Sequence, residues 1–573
     1  MKKVFRYIII IIITFFSTFF LWKKFNVDGN NILYPIAAIM IFCFINDRLK
    51  NIDKRKYIIT FLVAFIFSSI EVIGEQINNN FSIEKISLIN YVGYFILIFF
   101  TTLFVFDVFK INFNVFENKI EEKCKKNYII YIVLILVCWM PYFFRYFPGL
   151  LTADSCTQVS QAIGLTELSN HHPIFHTGII SIFVNLGINL FGNINCGVAM
   201  YTVVQMSLMA ISFSYVLYYL YKNNVPFFIR FFALIYYMLY PINALFSITM
   251  WKDILFAGII PIFVIQCDKV IKMPEKFLKD KVKLITFAIV SILVCYLRNN
   301  GVYIVLLTMF FLFIIERKYW KKMGIVFAGT LIIFFITKSI IFSIFNVSEG
   351  NIGEMLSIPL QQIARVEKYH KDNLDINTIY QINKFFNIEN IGEKYNPVLS
   401  DPVKAEFKNE VFKDNKVEFV KLWGKLLLRY PKDYIESFIS NSYGYYYPEA
   451  KHWVANRTME PNNMGLEQTP LIKGKIVSKI DSLIERREIP IVSMFFSIGF
   501  AVWLTIICLA YMVYSKKYAN LVMFIPIFVL WLTIIASPVF CEYRYAYPIF
   551  TTLPIYICLC FRNDLKGEGK WKK

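Results

Sequence analysis

The chain has 573 residues; 57% are hydrophobic, 18% aromatic and only 17% charged, with a formal net charge of +20 and a mean hydropathy of +0.53. Soluble domains carry about 25% charged residues, so a string of soluble domains is excluded, as are collagen, disorder, coiled coils and a disulfide scaffold. An all-α polytopic membrane protein is left. The basic residues cluster beside apolar runs and form no recognition motif, so the expected partner is the lipid bilayer and not nucleic acid.

A spanning helix needs about 20 apolar residues. Fourteen segments meet or approach that: about 4–22, 31–47, 57–74, 88–109, 128–147, 197–221, 227–249, 254–270, 284–299, 302–316, 326–346, 491–514, 519–537 and 545–562. The first is too long for a signal peptide and lacks a small-residue cleavage site, so it is read as a retained span. A further apolar stretch, 174–192, is settled by parity. With Met1 inside and fourteen crossings, the basic connectors 48–56, 110–127, 267–283, 316–323, 515–518 and the KWKK tail all fall in the cytoplasm. The opposite ends, including 148–196, 347–490 and 538–544, then fall outside. Counting 174–192 as a span would move the basic loops between 267 and 323 outside. An interfacial or re-entrant helix is therefore expected there. Lys23 and Lys24 land on the outer side, where their stems can snorkel. The expected protein is a multi-pass cell-membrane protein with both termini cytoplasmic. Its Ile, Lys, Asn and Phe richness hints at an AT-rich bacterial genome.

Four regions follow. Residues 1–127 form a four-helix membrane extension. Residues 128–346 form a transmembrane core with an outer loop at 148–196. Residues 347–490 have the composition of a mainly helical extracytoplasmic domain. Residues 491–573 hold the last spans and a basic tail. No internal repeat of the transporter kind is visible.

The candidate chemistry begins in PYFFRYFPGLLTADSCTQVSQAIGLTELSNHHPIFHT, residues 141–177. Pro148-Gly149 ends the fifth span. Thr152 can cap a new helix with Asp154 in its first turn. Asp154, Gln158 and Gln161 then share one face, bordered by Ser155. A carboxylate and two amides suit binding and deprotonating a hydroxyl-rich substrate; a solvated interfacial face is the plain alternative. His171, His172 and Pro173 open the interfacial helix. His172 and His176 lie four apart, so both can face one ligand. Substrate hydrogen bonding or anion neutralisation leads for them. A divalent metal is a weaker reading, since the HExxH pattern lacks its Glu, and no cofactor is required.

Three polar islands interrupt apolar runs at the same outer level: Lys252 with Asp253, Arg298 with Asn299 and Asn300, and Glu542 with Arg544. Charges at membrane depth are usually functional. Together the islands put three cations around one site, which a phosphate group would explain; mutual salt bridges are the plain alternative. In the soluble region Gln361 and Arg365 stand at helical spacing, downstream of Glu354. The aromatic stretch NSYGYYYPEAKHW, with Glu449 and His452, fits either a sugar or the bilayer surface.

The pattern FPG…T-x-DS…Q…QA-x-G…HHP, with a late E-x-RY-x-x-P, resembles the GT-C superfamily of membrane glycosyltransferases. The likeness is residue-specific over about 147–177 and more weakly over 538–548. It implies transfer of a sugar from a polyprenyl-phosphate-linked donor to a cell-envelope glycan, lipid or protein acceptor on the outer face. It implies Asp154 as general base and Arg544, with Lys252 or Arg298, as the phosphate partners. Ser155 stands where several members carry a second acid. The other readings are a flippase or transporter of lipid-linked saccharides and a cell-wall ligase or polymerase of another fold. A transporter should hold its ionisable residues near mid-membrane.

Overall fold

A computed structural model describes residues 2–25, 33–50, 53–111, 128–350, 352–450, 457–472, 474–475 and 490–562. Among these the chain is helical throughout, with isolated β-bridges and no strand. The N-terminal extension holds α1 (Lys2–Lys24), α2 (Leu33–Arg48), α3 (Lys54–Asn80) and α4 (Leu88–Val108). The core follows: α5 (Tyr128–Arg145), α6 (Ala153–Ala162), α7 (Ile174–Phe191) and α8 (Ile194–Lys222). Next come α9 (Phe227–Leu239), α10 (Pro241–Ser247), α11 (Lys252–Lys272) and α12 (Pro274–Lys279). The core closes with α13 (Lys281–Leu297), α14 (Gly301–Ile315) and α15 (Trp320–Ile344).

A helical unit comprises α16 (Ser357–His370), α17 (Ile376–Phe385), α18 (Asp401–Ala405), α19 (Asn409–Asp414), α20 (Lys416–Arg429) and α21 (Pro431–Ser442). The chain returns to the bundle with α22 (Pro490–Phe495), α23 (Ile498–Tyr514), α24 (Ile525–Ala536) and α25 (Tyr543–Phe561).

Among the described residues nine helices are long and apolar enough to cross a membrane, or ten if α9 and α10, bent by 49° at Tyr240–Pro241, count as one span. The chain is a multi-pass membrane protein. Every one of the fourteen predicted segments contains helix. Helix α7 is also among the nine by length and composition, so its course has to come from its packing. His176 lies seventeen residues before Asn193. An antiparallel hairpin would set it opposite Ala210. It meets Tyr201 instead, with the His176 ring nitrogen 2.7 Å from the Tyr201 hydroxyl. Helix α7 packs closely on α8, with its first turn beside Tyr201. The approach is tight because two glycines meet: a Cβ on Gly187 would come within 2.2 Å of the Gly197 nitrogen.

The polar islands gather at one end of the bundle. The described residues of the basic connectors gather at the other. There Asp268 receives the Tyr219 hydroxyl at 2.7 Å, Lys272 at 2.6 Å and Arg562 at 3.1 Å, while Lys517 donates to the Arg562 carbonyl. Arg55 and Lys110 donate there to the hydroxyls of Tyr518 and Tyr514. Lys24 does not merely snorkel: it pairs with Glu75 at 3.1 Å and Glu449 at 3.5 Å.

The unit at 352–450 is mainly helical, as its composition predicts, with its own apolar core around Leu360, Ile363, Phe385, Phe419 and Leu426. The aromatic stretch packs inward. Tyr443, Tyr445 and Tyr447 are buried. Trp503 and Trp531 donate to the carbonyls of Tyr446 and Tyr445 at 2.8 and 3.0 Å, and the Tyr445 hydroxyl donates to the Val539 carbonyl. The stretch is the wedge that docks the unit on the bundle. His452 lies outside the described residues. Gln361 and Arg365 also have internal work. Gln361 donates to the Asn396 carbonyl, and Arg365 pairs with Glu436 and donates to the Tyr395 hydroxyl. Glu436 in turn accepts from the Ile83 amide at 2.7 Å and Ser82 at 3.1 Å. Arg365 thereby braces the Glu436 contact with the α3–α4 turn, Gln361 ties α16 to the 396 loop of its own unit, and among the described residues neither is given a hydrogen bond or ion pair to the charged end of the core.

Removing one partner of a buried ion pair costs about 3–5 kcal/mol. Arg365→Met should lower stability by roughly 3 kcal/mol in detergent melts and speed hydrogen exchange at the Ile83 amide. Unchanged exchange there would show that Arg365 does not hold the junction.

Candidate functional site

The loop that carries Asp154 is pinned before its helix begins. Gly149 adopts φ +148°, and a Cβ there would meet the Thr202 hydroxyl at 2.4 Å and the Ile248 carbonyl at 3.1 Å, so the turn requires glycine. Leu150 then bridges to the segment between α10 and α11: its amide donates to the Ile248 carbonyl and its carbonyl accepts from the Met250 amide, both at 2.9 Å. Thr152 is the N-cap of α6, and its amide donates to the Ser155 hydroxyl at 3.2 Å. Ser155 donates onward to the Met250 carbonyl at 2.7 Å, and the Trp251 indole donates to the Thr152 hydroxyl at 2.6 Å. Asp154 thus stands in the first turn of α6 in a frame set by residues 249–251.

Its carboxylate faces the first turn of α25. Arg544 lies 2.6 Å from Asp154 and 3.2 Å from Glu542. The guanidinium rests over the rings of Trp251 and Tyr545, each at 4.9 Å, and the same Tyr545 ring carries Arg298 at 4.8 Å. Arg298 also donates to the Tyr545 carbonyl at 3.3 Å and lies 3.4 Å from Asp253. Asp253 is fully buried, and among the described residues neither of its oxygens receives a hydrogen bond. Lys252 donates to His172 Nδ1 at 2.9 Å. Three cations and three carboxylates therefore meet in one cluster. Lys252 is the cation whose partner there is a neutral ring and not a carboxylate.

The electrostatics follow from that arrangement. Burial would raise the Asp154 carboxyl, but Arg544, then Lys252 and His172, outweigh it and hold the group down at about 2. Burial and the Lys252 ammonium push His172 down to about 3 from an ordinary 6.5. His172 is therefore neutral at neutral pH and accepts from Lys252. Burial pushes the Glu542 carboxyl up, against the pull of Arg544.

The predicted residues sort by these contacts. Asp154, His172, Lys252, Asp253, Arg298, Glu542 and Arg544 come together. Asn299 joins them at the edge, donating to the Asn170 carbonyl at 3.3 Å, and exposed His171 packs edge-on against the His172 ring. Gln158, Gln161 and His176 lie behind the cluster and hydrogen-bond within the protein. Gln158 donates to Thr177 and lies 3.0 Å from His176, and Gln161 donates to the Glu167 carbonyl and Ser169. His176 is wholly buried between Gln158 and Tyr201. These three, with Ser155, position α6 against α7 and α11. His172 and His176 point to different partners and so do not face one ligand. Among the described residues no three His, Cys, Asp or Glu side chains form a group able to hold a metal ion. Trp251 and Tyr545 were missed, although both stand inside the charged islands, where an aromatic beside a buried guanidinium is a natural stacking partner.

One further feature borders the cluster. A groove of about 520 Å³ runs between α9, α22, α23 and α25, lined by Phe232, Tyr236, Leu239, Phe500, Leu504 and Phe550 among others. Tyr240, also in its wall, bonds through its hydroxyl to that of Tyr543, at 2.5 Å, beside Arg544.

A family model matches residues 162–572, under the description Family of unknown function (DUF6020). The chain belongs to this family. Within the DUF6020 match lie His172, Lys252, Asp253, Arg298, Glu542 and Arg544, while Asp154 stands eight residues before it. No curated protein and no solved structure matches the chain.

The His172 environment makes stability depend on pH. Between 6.5 and about 3 the unfolded chain binds a proton that folded His172 refuses, so stability should fall as pH drops through that window. His172→Gln should flatten this slope in detergent melts from pH 7 to 4. An unchanged slope would show that His172 titrates normally.

Proposed function

We propose that the protein is a membrane glycosyltransferase that moves a sugar from a polyprenyl-phosphate-linked donor to an acceptor hydroxyl on the outer face. The observation that carries this reading is the Arg544–Asp154 pair: an anion-binding cation and a candidate base held together beside an apolar groove. At rest the pair disarms the base, because a carboxyl near 2 has little proton affinity. An incoming phosphate competes for Arg544. Lys252, not engaged by a carboxylate, meets the same phosphate. Once Arg544 turns to the phosphate, Asp154 loses its strongest stabilising partner and its proton affinity rises. The acceptor oxygen then attacks the anomeric carbon, its proton passes to Asp154, and the bond from that carbon to the phosphate oxygen breaks. The negative charge on the leaving phosphate rests on Arg544 and Lys252, with Arg298 behind them.

The groove supports a lipid-borne donor, since its wall is almost entirely apolar and includes Tyr240, whose hydroxyl bonds to that of Tyr543, the residue before Arg544. The unsatisfied oxygens of Asp253 support a substrate rich in hydroxyl donors. The reading needs no metal. It assigns the polar end of the bundle to the outside with fourteen crossings and α7 interfacial, in keeping with the basic residues at the far end. The unit at 352–450 then lies outside the membrane.

Asp154→Asn should reduce transfer by about 10²–10⁴ while the protein still folds, because Arg544 keeps Glu542. Glu167→Gln, an exposed carboxylate on the same loop, is the control. The assay uses purified protein with polyprenyl-phospho-sugar donors. Full activity of the Asp154 variant, or an equal loss in the control, removes Asp154 from the chemistry. Topology has its own test: a cysteine at Asn223 should resist impermeant thiol reagents added outside, and labelling there would reverse the assignment.

A further inference from the structure

A second approach to the cluster lies on another side of it. A shallow cleft is lined by Asn170, Pro173, Phe175, Tyr296, Asn299 and Lys338 among others. It shares no lining residue with the first groove. Its lining contains one charge, Lys338, and no carboxylate. Lys338 sits in α15, six residues from the end of an otherwise apolar run, IVFAGTLIIFFITKSIIFSI. Its ammonium lies 5.1 Å from the Phe342 ring, and among the described residues it forms no salt bridge.

The level of Lys338 is fixed by its neighbours. Thr337, next in sequence, bonds to the Tyr296 hydroxyl, and Tyr296 precedes Arg298 by two residues. Just past α15, the Ser348 amide donates to the Leu168 carbonyl at 3.0 Å, and the Ser348 carbonyl accepts from the Asn170 amide at 2.9 Å. The cleft therefore opens beside the loop that carries His171 and His172. Its inner edge is the Asn299–Asn170 hydrogen bond. An unneutralised cation in an apolar, lipid-facing helix is costly unless an anion meets it. At this depth the available anion is a lipid phosphate.

We infer that this cleft takes a phosphate-bearing lipid of the outer leaflet, with its phosphate on Lys338, and presents its polar head to the charged cluster as the acceptor. The inference rests on the glycosyltransferase reading for the word acceptor only; the lipid site stands on Lys338 and the cleft. Two bilayer-open approaches meeting at one cluster bring two lipid-borne reactants together. Donor tail and acceptor then enter from different sides, and neither blocks the other.

The test uses the full-length protein in phosphatidylcholine nanodiscs and a diazirine-bearing phosphatidylglycerol, with crosslinks mapped by mass spectrometry. Labels are expected on α13 to α15 around Tyr296, Phe334 and Phe342. Lys338→Met should reduce them about fivefold, the effect of one cation near an anionic headgroup, and Lys338→Arg should retain them. Equal labelling in Lys338→Met, or equal labelling by a diazirine phosphatidylcholine, would overturn the site. A diazirine polyprenyl phosphate supplies the separate arm. It should label the first groove near Phe550 in all three proteins. If it labels neither groove, the donor assignment fails while the Lys338 site stands.

Discussion

The ion pair between Arg544 and Asp154 closes the architecture on itself. It joins the first turn of α6 to the first turn of α25, two elements separated by most of the chain. Much of the surrounding structure serves to aim these two groups. The Leu150 bridge and the Ser155–Met250 bond set the pitch of α6. The Arg544 guanidinium lies 4.9 Å from each of the Trp251 and Tyr545 rings. Behind α6, Gln158, His176 and Tyr201 form a buried polar chain that ties α6, α7 and α8 together. Loss of any of these supports should loosen the pair without removing a charge.

The composition of the cluster explains why the pair can also be a device. Three cations and three carboxylates balance, so the cluster carries no strong net field. Its charges are nevertheless unequally engaged. Arg544 has two carboxylate partners, Arg298 has one at 3.4 Å, and Lys252 has the His172 ring. On the proposed reading, the phosphodiester monoanion of the donor meets Lys252 first and then competes for Arg544, so that the base becomes competent as the phosphate becomes bound. Proton affinity at Asp154 would then be linked to occupancy of the leaving-group site.

Much of this was legible in the sequence. Thr152 and Asp154 announced the start of α6 because capping is a local matter. The charged islands announced a shared site because charges at the ends of apolar helices need partners or ligands. What stayed hidden was the choice of partner, which packing decides. Helical spacing put Gln158, Gln161 and Asp154 on one face, but that face is divided, with the amides turned to α7 and the 167–169 loop and the carboxylate to α25. The partners of Arg365 and Gln361 were not legible because they depend on residues far away in sequence, Glu436 of α21 for Arg365 and Asn396 for Gln361. The stretch with Tyr443, Tyr445 and Tyr447 fitted either a sugar or the bilayer surface, because composition does not say which partner an aromatic run packs against.

The central claim is that Asp154 and an incoming phosphate compete for Arg544. Equilibrium binding of a polyprenyl phosphate to the wild-type protein and to Asp154→Asn measures that competition without any turnover. The account predicts that the variant binds the lipid phosphate more tightly, by about tenfold, the equivalent of roughly one pKa unit of released pairing. Unchanged or weaker binding in the variant would contradict it, because Arg544 would then hold both groups at once and the exchange that arms the base would not occur.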